Sequence, residues 1–225
     1  MNFLDCPDRL RDSTTVWIFR ERLPKTGRDR VIWNELQGQL DSKGISIKRG
    51  TMQDATFIAS DPGHEKHKET RELGQTRRSK DGTFTKKDRK TYFGYKGHIL
   101  PDNNSVPFIK SYTVTTASVH DSIIDRSRNG SPMYRDKGYF GVKQKGYDAI
   151  MTKALRGFRL SIWSILCNKR IFRKRSLAEY PFAIIKSVFH FSYTLVTLSR
   201  RVRVKFMLSC FAYSLFALRI NLNGE

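Results

Sequence analysis

From Phe206 to Leu218 the chain carries no charged side chain, and so apolar a run has to be buried. It is shorter than the ~20 residues needed to span a bilayer, so the expectation is a core helix. A core helix needs a surface to pack on, and four strand-like segments lie upstream. They read GTMQDATFIA at 50–59, TYFGYKGHIL at 91–100, PFIKSYTVTT at 107–116 and SPMYRDKGYF at 131–140. Thr, Tyr, Phe and Ile favour strands. The second and third segments flank Pro101-Asp102-Asn103-Asn104, which predicts an antiparallel hairpin with a longer loop. A short helix is expected over VHDSIIDRS at 119–127, a longer one over Val142–Leu155, and a further strand over RLSIWSIL at 159–166. Two apolar-rich helices then close the chain. That order defines an α/β domain with a mixed sheet flanked by helices. With 39% hydrophobic residues the chain can form a true core.

Ahead of this domain, Asp12, Ser13 and Thr14 offer helix caps, with Val16, Phe19 and Leu23 on one helical face and Pro24 as the stop. A second helix is predicted from Asp29 to Lys43, with Ile32, Leu36 and Leu40 in line and Gly44 ending it. The first helix has little before it to pack on. Residues 1–45 therefore read as the shortened remnant of a helical region, and 46–220 as the main domain. Within it, 61–90 is a polar, mixed-charge insertion. Cys6, Cys167 and Cys210 form neither a metal-ligand spacing nor a disulfide framework, which fits thiols in a reducing compartment. The N-terminal residues have neither a basic start nor an apolar run, so no signal peptide is expected.

The formal charge is +21, from 42 basic and 21 acidic residues. Such an excess points to a polyanionic partner, and without a predicted span, nucleic acid is favoured over a membrane. The acids are unevenly placed. Between Asp148 and Glu225 the only one is Glu179, set among Arg170, Arg173, Lys174, Arg175 and Lys186. It could relieve like-charge repulsion, or close a capping box with Ser176. It could equally bind a metal ion beside a basic surface. On one continuous helix Arg175, Glu179 and Lys186 would share a face, although Pro181 requires a helix start or a bend nearby. Asp54 lies in a strand-like segment and Asp136 at the end of another. Carboxylates at the carboxyl ends of neighbouring strands can converge. His64 and His67 have no further ligand to complete a metal site, and no glycine-rich phosphate loop occurs.

GTMQDATFI, KTYFGYKGHI, TVTTASVHDS, YRDKGYFG and RKRSLAEYPFAIIK follow one another in this chain. In that order they resemble insertion-sequence transposases of the IS-four/IS-five grouping, over nearly the whole length. The resemblance implies an RNase H-like catalytic domain with an Asp-Asp-Glu triad, here Asp54, Asp136 and Glu179, as catalytic and metal-binding residues. It implies Arg175 and Lys186 as DNA-binding residues in a Tyr-x2-Arg-x3-Glu-x6-Lys signature. Phe172 stands where the family has tyrosine. Asp121 is read as a helix cap. The implied cofactor is Mg²⁺, with Mn²⁺ as a substitute. Two ions ~4 Å apart suit strand cleavage and transfer, Asp54 and Asp136 sharing one and Glu179 binding the other. Expected partners are double-stranded DNA, at element ends and target, and further copies of the chain. The expected setting is the cytoplasm of a prokaryote, at the nucleoid. The alternatives are an inactive, shortened DNA-binding remnant and an RNase H-like nuclease without strand transfer.

Overall fold

The computed structural model describes residues 12–45, 50–63, 81–87, 89–127, 130–139, 145–154 and 156–223. Cys6, His64 and His67 lie outside them. Helix α1 (Ser13–Thr26) begins where the Asp12 carboxylate accepts the Thr15 N–H at 2.7 Å. Pro24 does not stop it. The helix runs on to Gly27, whose φ of 69° is a left-handed turn that glycine adopts without strain. Of the expected stripe only Leu23 is buried; Val16 and Phe19 face solvent. Helix α2 (Arg28–Ser42) buries Trp33, Leu36 and Leu40, and its first turn buries Asp29 against Arg203 Nε at 3.0 Å.

The strands follow as β1 (Thr51–Met52), β2 (Asp54–Ser60), β3 (Thr83–Lys87), β4 (Lys90–Pro101), β5 (Ile109–Thr116), β6 (Met133–Arg135) and β7 (Asp148–Ile150). Then come α3 (Ile162–Arg175), α4 (Glu179–Ser187), β8 (Tyr193–Thr194) and α5 (Ser199–Asn223). β4 is the spine of the larger sheet, antiparallel to β2, β3 and β5, while β8 joins β2 in parallel. β1, β6 and β7 form a parallel sheet of their own. The pattern is α/β with mixed pairing, and the β4–β5 hairpin lies where it was expected.

Four local expectations are corrected. Part of the 61–90 stretch is strand: Thr83–Lys87 pairs with β4, while 64–80 lies outside the described residues. Residues 148–150 form β7 rather than helix, because they complete the parallel pairing with β6. The segment read as strand RLSIWSIL starts α3, since Ser161 caps it by accepting the Ser164 N–H at 3.1 Å. Around Asp121 there is a single 3-10 turn, Asp121–Ile123. His120 caps it by accepting the Ser122 N–H, and Asp121 pairs with Lys96 Nζ at 3.1 Å.

The apolar run from Phe206 does form a core helix. α5 is long and apolar enough by composition to cross a bilayer, yet Val202, Phe206, Met207, Cys210, Tyr213 and Ala217 are buried in the protein's own core. Full burial of Phe206 contributes ~1.5–3 kcal/mol. Its ring stacks on Phe191 at 5.8 Å between centroids, and the Tyr213 hydroxyl donates to the Pro107 carbonyl at 2.8 Å. The close seating of α5 depends on Gly97 in β4. A Cβ there would stand 2.6 Å from the Phe206 ring. Gly97→Ala is therefore expected to destabilise the fold by ~1–3 kcal/mol, read from urea denaturation, with Gly97→Ala/Phe206→Leu recovering part of the loss. An unchanged midpoint in the single variant would contradict this packing.

Candidate active site

Two of the acids are placed by strand register. β1 and β6 run in parallel, with Thr51 opposite Met133 and Met52 opposite Tyr134. The Thr51 N–H donates to Pro132 O and the Gln53 N–H to Tyr134 O, each at 3.1 Å. Carried two residues further, the same register sets Asp54 beside Asp136. Asp54 opens β2, with one carboxylate oxygen accepting the Ala55 N–H at 2.9 Å. Asp136 leaves β6 and accepts the Lys137 N–H at 2.7 Å.

The third acid arrives on a helical limb. α3 ends at Arg175, a 3-10 turn occupies Ser176–Ala178, and Glu179 opens α4. The turn resolves the difficulty posed by Pro181, which falls in the first turn of α4 where an amide donor is not needed. Ser176 makes no capping box. Its hydroxyl donates back to Arg173 O at 2.9 Å, and the start of α4 has no side-chain cap.

What joins the three acids is Arg175. Its Nη2 stands 4.0 Å from Asp54 Oδ1 and 4.0 Å from Asp136 Oδ2, and its Nη1 3.4 Å from Glu179 Oε1. The side chains differ in depth: Arg175 is 13% exposed and Asp54 19%, against 50% for Asp136 and 63% for Glu179. Burial pushes the Asp54 carboxyl above its ordinary value, with Arg175 as the main opposing influence and Glu179 and Asp136 adding to the rise. Lys186, half-buried on α4, is held below the usual lysine range by burial first and by Lys87 second, while Asp54 draws it up. The cluster thus contains Asp54, Asp136, Glu179 and Arg175 in contact, with Lys186 close enough to feel Asp54. Phe172 is exposed on α3.

Two lysines beside the site were not singled out from the sequence. Lys86 and Lys87 on β3, with Lys96, line a groove whose other wall is Ala55, Thr56 and Phe57, directly after Asp54. The adjacent lysine pair was the available signal. It was hidden by reading the whole of 61–90 as an insertion.

Among the described residues, no three His, Cys, Asp or Glu side chains close directly around one point; the acids meet through the guanidinium. Their chemistry nevertheless fits a hard divalent cation: three carboxylates, all oxygen donors, on three separate elements.

A family model for the transposase DDE domain matches residues 40–215, so the chain belongs to the transposase DDE domain family. Proteins of this family generally use divalent metal ions. No solved structure matches the chain.

The charge arrangement makes a prediction. Arg175→Met leaves Asp54 buried without the cation that opposes its upward shift. A carboxyl whose folded pKa is raised favours folding below its unfolded pKa, and that contribution is lost as pH rises through the folded value. The variant is expected to lose ~1–2 kcal/mol near neutral pH and less near pH 4, in urea titrations at both. Equal losses would mean that Asp54 does not sense the guanidinium.

Proposed function

We propose that the chain is an insertion-sequence transposase of the IS-four/IS-five grouping, cutting and joining DNA through an RNase H-like domain. The observation that carries this is the meeting of Asp54, Asp136 and Glu179, from two strand ends and one helix start, around Arg175. Membership of the transposase DDE family gives the reaction class. We assign 46–220 to the catalytic domain and 1–45 to the remnant of a helical DNA-binding region. Trp33, Leu36 and Leu40 of α2 share the core with β4 and α5, so the two parts are packed together.

Asp54, Asp136 and Glu179 would hold Mg²⁺ or Mn²⁺. Such ions supply Lewis-acid stabilisation of the phosphoryl oxygens and lower the pKa of attacking water. The rest falls to the chain's own groups. Asp54, the most buried of the three, fixes the floor of the site. Asp136 and Glu179, both half-exposed or more, face the incoming strand. Arg175 keeps like charges together without collapse of the site. Lys186 and the Lys86–Lys87 pair hold phosphates beside the acids as point charges that carry no sequence preference. On this reading the protein acts as a multimer on paired DNA ends.

The test is incubation with supercoiled plasmid bearing the element's ends, with and without Mg²⁺. Wild type is expected to nick and join strands only with the ion. Asp136→Ala is expected to lose ~10³-fold or more of that activity while still binding DNA. Nicking without joining would favour a nuclease. Binding with no cleavage by either protein would favour an inactive DNA-binding form. Unimpaired joining by Asp136→Ala would overturn the site.

A further inference from the structure

α3 is a 14-residue helix with no buried residue. Its less exposed side carries Ser164, Cys167, Asn168 and Ile171; Asn168 accepts the Thr152 N–H at 2.8 Å and donates to Thr152 O at 3.0 Å. Its outward side is divided. The first half presents Ile162, Trp163 and Leu166, exposed at 79%, 71% and 50%. The second half presents Lys169, Arg170 and Arg173, exposed beside Phe172 and without an acid anywhere on the helix. Trp163, Leu166, Lys169, Arg170 and Arg173 line one shallow groove. The helix then delivers Arg175 into the acid cluster.

A charged helix face is ordinarily just solvated. Three features set this one apart. Large apolar side chains, Trp163 and Leu166, lie exposed beside the cations in the same groove. No carboxylate of the helix neutralises any of the cations. The cationic half begins within two turns of the acids, since Lys169 lies six residues, ~9 Å, before Arg175 at the α-helical rise. At 3.6 residues per turn these three side chains project roughly 120–160° around the helix from Arg175, so they would meet duplex flanking the site and not the phosphate at the acids.

We propose that the outward face of α3 is a docking surface for the stretch of duplex DNA that flanks the cut site. This rests on the transposase reading above and names where its DNA lies. Lys169, Arg170 and Arg173 bind the backbone, and Trp163 and Leu166 cover the sugar edge beyond it.

The experiment is duplex-DNA binding by the full chain across a range of salt concentrations. Lys169→Gln/Arg170→Gln/Arg173→Gln is compared with wild type and with Lys145→Gln/Arg200→Gln/Arg219→Gln, a control of equal charge at exposed positions outside α3 and outside residues 1–45. Each lost phosphate contact lowers the log–log salt slope by ~0.9. The α3 variant is expected to show a slope smaller by ~2–3 and an affinity lower by on the order of a hundredfold at moderate salt. The control is expected to change little. Equal slopes in the two variants would overturn the proposal. So would a wild-type slope in the α3 variant together with a Trp163→Ala change in the sedimentation of DNA-free protein, which would assign the face to a second copy of the chain. Failure of wild type itself to bind duplex would defeat the transposase reading instead, so the two failures are separable.

Discussion

Two paired residues on each of two short strands, Thr51–Met52 against Met133–Tyr134, set the separation of the aspartates, and the rest of the site is built on that register. In a strand the side chains alternate, so a slip of one residue would turn Asp136 to the other face. Strands this short cannot hold register by hydrogen bonds alone. Burial does it. Met52 and Met133 are fully buried, as is Arg135, and β7 pairs with the far edge of β6 from Met133 to Arg135. A slip would expose two methionines and invert a buried arginine whose guanidinium stacks over the Tyr139 ring. The register of the acids is thus enforced by residues that take no part in any chemistry.

The arginine at the centre is as constrained as the acids. A guanidinium so far removed from water needs nearby negative charge. No single acid supplies a close pair; contacts of 3.4–4.0 Å to three carboxylates share the role. Only a planar fork with donors on both terminal nitrogens can address three directions at once, which a lysine's point charge would do poorly. The arginine's position comes from the bend between α3 and α4, so the 3-10 turn at Ser176–Ala178 is part of the electrostatics and not merely a connection.

Much of this was legible in the sequence, for identifiable reasons. The β4–β5 hairpin was readable because a four-residue polar turn separates two apolar runs. The α5 core helix was readable because an uncharged segment has nowhere to go but inside. Two aspartates near strand ends and one glutamate in a basic stretch were visible as candidates, and the structure brings them together. α3 was misread because IWSIL fits a strand as well as a helix over so few residues; the deciding feature, Ser161 as a cap, matters only once the helix is assumed. β7 was missed because a three-residue strand is defined by its partner, and β6 lies about fifteen residues away. The stripe on α1 was misjudged because periodicity says that a face is apolar without saying that anything covers it.

The distribution of acids explains how so basic a chain keeps a site of the opposite sign. Several described acids outside the cluster are committed elsewhere: Asp29 to Arg203, Glu21 to Arg201, Asp121 to Lys96 and Asp81 to the Ser199 amide and hydroxyl at the start of α5. Those pairings are structural, tying α1, α2 and the β3 approach to α5, and the 3-10 turn at Asp121 to β4. The cluster is different, because three carboxylates share one guanidinium. With Asp54, Asp136 and Glu179 ionised against Arg175, two formal negative charges are left over inside a molecule of formal charge +21. A surplus of that kind is stable only where cations surround it, and Lys186, Lys87 and the end of α3 do so. The acid cluster repels a polyanion at the same point where it attracts a multivalent cation. Repulsion of phosphate and attraction of cation at the same place is the electrostatic condition for cutting a phosphodiester with a metal ion between the acids and the strand.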